Sequence, residues 1–347
     1  MNFSRHSIEY KKDVLDSSSQ AAEKRVGAIA VRAIFFTVIA ICVIVVCGSV
    51  GVIRGIIANA PDIDSISISP TGFATFVYDS DGNQMQKLVS SNANRMAVSI
   101  DNVPVDLQHA VVAIEDERFY QHNGIDIRGI IRALLTGVKN KFRFTEGGST
   151  ITQQLLKNNV FTTWTQEKSL VDRVKRKFQE QYLAVLLEEK IKDKNLILEN
   201  YLNTINLGAG TYGVQAAAKK YFNKNVQDLT LSECAVIAGI SQNPAKYNPI
   251  RHPDYNAERR KKVLTRMVEQ GYITQAQMDE AEADDVYTRI AEAQKVQEET
   301  STVYSYFVDE LTEQVVQDLE SQKGYTEKQA YQMLYSGGLR IYTTQDQ

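Results

Sequence analysis

The chain has 347 residues, 43% of them hydrophobic and 23% charged, with a formal charge of −3. That length is about twice a typical domain, so two folded units plus appendages are expected, and the composition excludes global disorder. The charge gives no footing for nucleic acid. The three cysteines make no disulfide framework: Cys42 and Cys47 lie in an apolar run and Cys234 in "ECAVIAGI", where all read as packing residues.

Residues 33–53, "AIFFTVIAICVIVVCGSVGVI", carry no charge. At 1.5 Å per residue such a helix crosses a hydrocarbon core of about 30 Å. Arg5, Lys11, Lys12, Lys24, Arg25 and Arg32 precede it, and no lysine or arginine occurs between Arg54 and Lys87. The positive-inside rule makes 1–32 a cytoplasmic tail and places the remainder outside the membrane. "ANA" at 58–60 has the small-x-small pattern of a cleavage site, but the apolar run exceeds the 7 to 15 residues usual in a signal peptide, so an uncleaved signal anchor at 33–53 is expected.

Residues 54–105 form a tether. Within it "GFATFVYDSDGNQMQKLV" alternates around turn chemistry and predicts a short β-hairpin over 72–89. After "DNVP" helical periods take over, and 106–290 is expected to be one helical domain. Thr150 with Gln153, Thr230 with Glu233 and Thr274 with Gln277 fit capping boxes, and Gly271 fits a helix stop. Residues 291–347 are polar and helix-prone until "GGLRIYTT" returns to strand composition. That strand lacks an evident partner, which reads as a linker inside a longer protein.

The chemistry-bearing residues cluster in "EDERFYQHNGID" at 115–126, directly after the apolar run "AVVAI". Adjacent helical positions point about 100° apart, so at most one of Glu115 and Asp116 faces a given cleft. "EGGSTITQQLLKN" at 146–158 is a glycine pair leading into a helix start, whose free N–H groups suit an anion. "RVKRKFQEQYL" puts Arg176 and Glu180 on one helical face with Lys177 beside them, and "ILENYLNTINLGAGTYGVQAAAKKYF" brackets a glycine loop at Gly208, Gly210 and Gly213. Taken singly, each has a bland reading: a solvated helix end, a loop-to-helix junction, a surface ion pair, core packing.

In this order, "EDERFYQHNGID", "GGSTITQQLLKN", "RKFQE", "ILENYLNTINLG" and "YGVQAAAKKYF" resemble the five signatures of the peptidoglycan glycosyltransferases, the lysozyme-like domains of class A penicillin-binding proteins and of their monofunctional relatives. The likeness runs from about Thr71 to about Ala281. It implies a mainly α, lysozyme-like glycosyltransferase domain preceded by one transmembrane helix and a hairpin and followed by a linker. It also implies polymerisation of lipid II into β-1,4 glycan at a bacterial cell membrane, with release of undecaprenyl diphosphate. Glu115 aligns with the general base. Glu180 aligns with the second carboxylate, which organises cations at the departing diphosphate. Arg176, Lys177 and Lys157 stand where the family places phosphate-binding cations; Asp116, Gly147, Gly148, Ser149, Thr150, Gln153 and Gln154 would line the substrate site. Phe119, His122, Gly124, Asn203 and Gly208 would keep the cleft in shape. A divalent cation, Mg or Mn, is a candidate to share the charge, with no ligand set assigned. The growing glycan strand, membrane lipid and cell-wall synthesis or division proteins are the partners so implied.

Two departures stand out: Ala209 where the family often has asparagine, and "ISQNP" in place of an "LPQAP"-like turn, neither of which is expected to touch a catalytic group. In "VFTTWTQEKSL", Phe161 and the sole tryptophan, Trp164, read as a lipid-dipping flap. A lytic enzyme on the same scaffold would need no "RKFQE" cations, and a non-catalytic scaffold would not need to keep Glu115 and Glu180. Neither S-x-x-K nor K-T-G occurs, so transpeptidation is not encoded here. "YFVDELTEQVV" and "GGLRIYTTQDQ" resemble the linker into a transpeptidase domain, which favours a bifunctional parent over a monofunctional one.

Overall fold

A computed structural model describes residues 5–15, 18–70, 72–90, 94–140, 147–161, 167, 169–299 and 306–345. The chain divides into two compact units, Met1–Ala60 and Pro61–Gln347. The first holds α1 (Arg5–Leu15) and α2 (Ser18–Ala58). α2 is apolar and exposed around its circumference, Phe35, Ile44 and Val46 included, and it is long enough to cross a membrane. Cys42 and Cys47 are exposed on it, so they do not pack within the protein as the sequence suggests.

The second unit is mainly helical. After β1 (Thr75–Tyr78) and β2 (Gln84–Leu88) come α3 (Val105–Glu115), α4 (Ile127–Lys139), α5 (Ile151–Asn159), α6 (Leu170–Ile191), α7 (Lys194–Thr204), α8 (Val214–Phe222) and α9 (Leu231–Ile240). Then follow α10 (Pro253–Glu269), α11 (Gln275–Ala283), α12 (Val286–Glu299), α13 (Tyr306–Lys323), α14 (Glu327–Ser336) and β3 (Arg340–Tyr342). α9 is the centre: every residue from Ser232 to Ile240 is buried, because α3 and α10 pack against it and leave no polar face. Thr230 and Thr274 start their helices with complete capping boxes, and Gly271 takes φ +76 just past α10.

A smaller core brings Val77 and Leu88 of the hairpin against Val308, Val316, Ala330 and Leu334. Here the sequence reading of an unpartnered terminal strand is corrected. β3 pairs in parallel with β1, Val77 opposite Ile341, and gives the sheet order β2-β1-β3. Tyr78 and Tyr342 stack with ring centroids 4.9 Å apart. The pairing spans more than 260 residues of sequence, beyond the reach of any local signal.

Candidate active site

α3 ends at Glu115 because Asp116 leaves helical geometry at φ −157. The Glu115 carboxylate is gripped from two sides: the Gln154 side-chain amide donates to Oε2 at 2.8 Å, and the Ser241 hydroxyl donates to Oε1. Gln154 is itself held by the Tyr201 hydroxyl, which donates to its Oε1 at 3.2 Å. Burial first, then the charges of Glu115 and Asp116, push the Tyr201 phenol well above its ordinary value, so it stays a donor.

One turn along α5 lies Lys157. Burial pushes its ammonium down; Glu180 and Glu115 pull it up, and Lys177 and Arg176 push it further down. It therefore sits in the fields of both carboxylates. Glu180 is 1% exposed on α6 and is paired with Arg176 and, at 3.1 Å, with Lys177. Helical spacing of four and three residues brings these charges together. Arg176 also donates from Nε to both oxygens of Glu167 at 2.9 Å. The Lys177 ammonium reaches across to α5, donating to Ser149 Oγ at 2.7 Å and Gln153 Oε1 at 3.0 Å.

The start of α5 already holds an anion, and the protein supplies it. Ile151 N–H donates to Asp116 Oδ2 at 2.9 Å, and His122 Nε2 lies 2.9 Å from Asp116 Oδ1. Asp116 is thus turned away from Glu115 and committed to the frame. Thr150 caps α5 by accepting from Gln153 N, but the sequence expectation of a capping box is only half met. The Gln153 side chain goes instead to the Gly124 carbonyl, at 3.2 Å, and to Lys177. Thr150 Oγ1 donates to the same carbonyl at 2.8 Å.

Of the remaining residues, Phe119 is fully buried with Lys194 4.5 Å above its ring. Asn203 ties α7 to the strand-like entry of α3 through Val98, donating to its carbonyl at 2.8 Å and accepting from its N–H at 2.9 Å. Gly208 needs its hydrogen: a Cβ would come within 2.9 Å of the Pro244 carbonyl. Gly147 is exposed, and Gly148 abuts Ile130. Phe161 is half-buried; Trp164 lies outside the described residues.

Three features escaped the sequence reading. Ser241 does touch Glu115, which corrects the view that the "ISQNP" departure leaves catalytic groups alone. A polar cleft of about 120 Å³ opens at Glu115, walled by Gly148, Ser149 and a basic ridge of Arg259, Lys262 and Arg266 along α10. Arg259 is 7% exposed, and its Nε has no hydrogen-bond partner among the described residues; burial pushes its guanidinium down and Glu115 pulls it up. Finally, α4 buries its small residues Gly129 and Gly137 and leaves Ile127, Ile131, Leu134, Leu135 and Val138 each more than half exposed. Leu170, Val171 and Val174 at the start of α6 are exposed likewise.

Among the described residues, no group of three or more His, Cys, Asp or Glu is placed to hold a metal ion. Glu180, the carboxylate nearest the cations, already has both oxygens engaged. The described residues do not form a cage for a divalent cation.

Residues 81–268 match the family described as "Transglycosylase". The chain is 39% identical over 302 residues to penicillin-binding protein 1A of Clostridium botulinum, strain Langeland, with 85% of this chain and 35% of that protein covered. It is 40% identical over 305 residues to the Clostridium acetobutylicum protein of that name, covering 85% and 37%, and 39% identical over 289 residues to that of Aquifex aeolicus, covering 83% and 36%. It thus spans about a third of the length of these curated relatives. The crystal structure of penicillin-binding protein 1A from Haemophilus influenzae aligns with a TM-score of 0.38 at 24% identity, over 79% of this chain and 27% of that one.

Proposed function

Because the chain belongs to the transglycosylase family, we propose that this peptidoglycan glycosyltransferase polymerises lipid II into β-1,4 glycan and releases undecaprenyl diphosphate. The observation that carries the reading is the pairing, along α5, of one carboxylate held between neutral donors with a cluster of three cations. Glu115 accepts from Gln154 and Ser241, while Lys157, Arg176 and Lys177 gather around Glu180.

In this reading the labour is divided. Glu115 takes the proton from the attacking sugar hydroxyl as the new C–O bond forms at the anomeric carbon. The diphosphate departs with the electron pair of the broken C–O bond, and cations stabilise it without protonating it. Lys177 is the mobile member, since its ammonium can exchange Ser149 and Gln153 for phosphate oxygens; Arg176 is held by Glu167 and Glu180 and presents its remaining N–H edge. On the other side of Glu115, Arg259 and Lys262 suit the diphosphate of the acceptor. No step runs through a metal; a divalent ion would arrive on the substrate's phosphates. α2 anchors the enzyme with its N-terminus cytoplasmic, and the exposed apolar faces of α4 and α6 suit contact with lipid, such as the tails of the substrates.

The test is turnover of lipid II by the full chain in detergent, read as glycan polymer and released undecaprenyl diphosphate. Glu115→Gln keeps the shape and loses the base, so a fall of about 10² to 10⁴-fold is expected. An inactive wild-type chain, or a variant within tenfold of wild type, would remove the reading.

A further inference from the structure

We infer that Ser241 is a positioning residue for the base, a hydroxyl rotor that gives Glu115 a hydrogen-bond partner in both of its protonation states. The inference rests on the reading of Glu115 as general base. Ser241 lies at the C-terminal cap of α9, the most buried helix of the fold, so its backbone is fixed. Its Oγ is within bonding reach of two acceptors: Glu115 Oε1 and, at 2.8 Å, the Ala238 carbonyl. A hydroxyl has one proton and two lone pairs, so it serves only one of these acceptors at a time.

With Glu115 ionised, the Ser241 proton goes to the carboxylate. When the acceptor's proton has arrived on Oε1, that oxygen becomes a donor. The Ser241 proton then turns to the Ala238 carbonyl, and Oγ accepts from the new carboxylic O–H. No bond to a heavy atom breaks and no atom moves except hydrogen. Gln154 is unlike it in kind. The Nε2 group facing Oε2 can only donate, and Tyr201 fixes the amide's other end. The proton is therefore received on the Ser241 side, where the partner can reverse its role. The other groups facing Glu115 are Lys157, Arg259 and the Tyr201 phenol, with Asp116 adjacent in sequence. None of these can take the role: Lys157 and Arg259 only donate, the Tyr201 hydroxyl is spent on Gln154 rather than on Glu115, and Asp116 is committed to α5 and His122.

A rotor and a plain donor leave different traces in the pH dependence of kcat. A plain donor favours only the ionised base, so its loss moves the acidic limb to higher pH. A rotor favours both forms, so its loss lowers the plateau and leaves the limb nearly in place. The experiment compares wild type, Ser241→Ala and Ser241→Thr as full chains in detergent with lipid II. Expected for Ser241→Ala are a 5- to 20-fold lower plateau kcat, KM within twofold, an acidic inflection within about 0.3 pH units of wild type and an unchanged melting temperature. Ser241→Thr, which keeps the hydroxyl, should recover to within about threefold. An unchanged kcat in Ser241→Ala overturns the inference, as does an inflection moved up by a unit with the plateau intact, or a threonine variant as slow as the alanine one. Activity that survives Glu115→Gln would instead overturn the assignment of the base, whatever Ser241 does.

Discussion

Gly124 sits against Ala184 with no room for a side chain. A Cβ on Gly124 would lie 2.4 Å from the Ala184 carbonyl oxygen, and its φ of +83 is itself unfavourable to L-residues. The atoms it would meet, Ala184 O and C and Val185 N, are all backbone, so none can swing aside. The Gly124 carbonyl in turn receives Thr150 and Gln153. Gly124→Ala should cost about 2 to 5 kcal/mol, overpacking and the left-handed backbone together. Thermal unfolding checks this, and a loss under 1 kcal/mol would mean that α6 gives way.

Arg176 and Lys177 should separate stability from activity. Lys177→Ala leaves Glu180 with Arg176, so the fold should hold while kcat/KM on lipid II falls about 10- to 150-fold, the worth of a charged hydrogen bond. Arg176→Ala takes the more buried partner from Glu180, leaving only the more exposed Lys177, and also removes the pairing with Glu167, so it should lower the melting temperature as well. Equal melting temperatures for the two variants would contradict this division.

Asp126 supplies a pH signature. Burial works to raise it, but the Arg118 fork, with contacts of 2.6 and 3.2 Å, and the Gly129 N–H hold it below the usual carboxylate range. A carboxylate whose folded value is depressed stabilises fully above its unfolded pKa of about 3.9 and loses this as pH falls through the folded value. Asp126→Asn should therefore cost about 1.5 to 3 kcal/mol at pH 7. The gap to wild type should close below about pH 4. A gap that persists in acid would assign the effect to shape.

Ala209 carries φ +49 between Gly208 and Gly210, both also at positive φ. Alanine is strained there, and it is exposed, so the side chain earns nothing by packing. Ala209→Asn should stabilise by about 0.5 to 1 kcal/mol, because asparagine tolerates this region. Calorimetry should show a rise of about 1 to 4 °C with turnover unchanged; a fall would place a contact at Ala209 that the backbone does not reveal.

Residues 61–347 form a compact unit apart from α2, so their own affinity for lipid can be measured. Replacing Ile131 and Leu135 of α4 by serine should weaken liposome association of that fragment tenfold or more, since each buried aliphatic contributes about 1.5 to 3 kcal/mol of transfer. Both side chains are exposed, so the melting temperature should stay put. Undiminished binding would exclude α4 as a membrane face.

What the sequence showed was local. The spacing of Arg176, Lys177 and Glu180 on one helix, the hairpin over β1 and β2, the buried α9 and the stop at Gly271 all arise from neighbours within a turn or two. What it hid needs distance. Ser241 meets Glu115 across 126 positions, and a lone serine at a helix end has no pattern to betray it. Asp116 reads as a cleft residue, and it does line the cleft, but its bond to the Ile151 N–H at the start of α5 has no local signal. α4 poses the opposite problem: its 3.6-residue period is plain, and such a period ordinarily means core. Periodicity reports that a face is apolar, not what covers it; here glycines pack inward and leucines face out.

The parallel pairing of β1 with β3 gives the molecule a mechanical character. Between these strands the chain runs through β2 and all the helices from α3 to α14, yet tension drawn across residues 72 and 345 does not reach those helices first. It pulls two side-by-side strands in opposite senses, so that Phe76 N–H to Leu339 O, at 2.9 Å, and Thr343 N–H to Tyr78 O, at 2.9 Å, are loaded in shear and must part together. The sheet acts as a clasp that shunts force past the helices. Traction applied at residue 345 would thus leave Glu115 and its cations undisturbed until the clasp gave way.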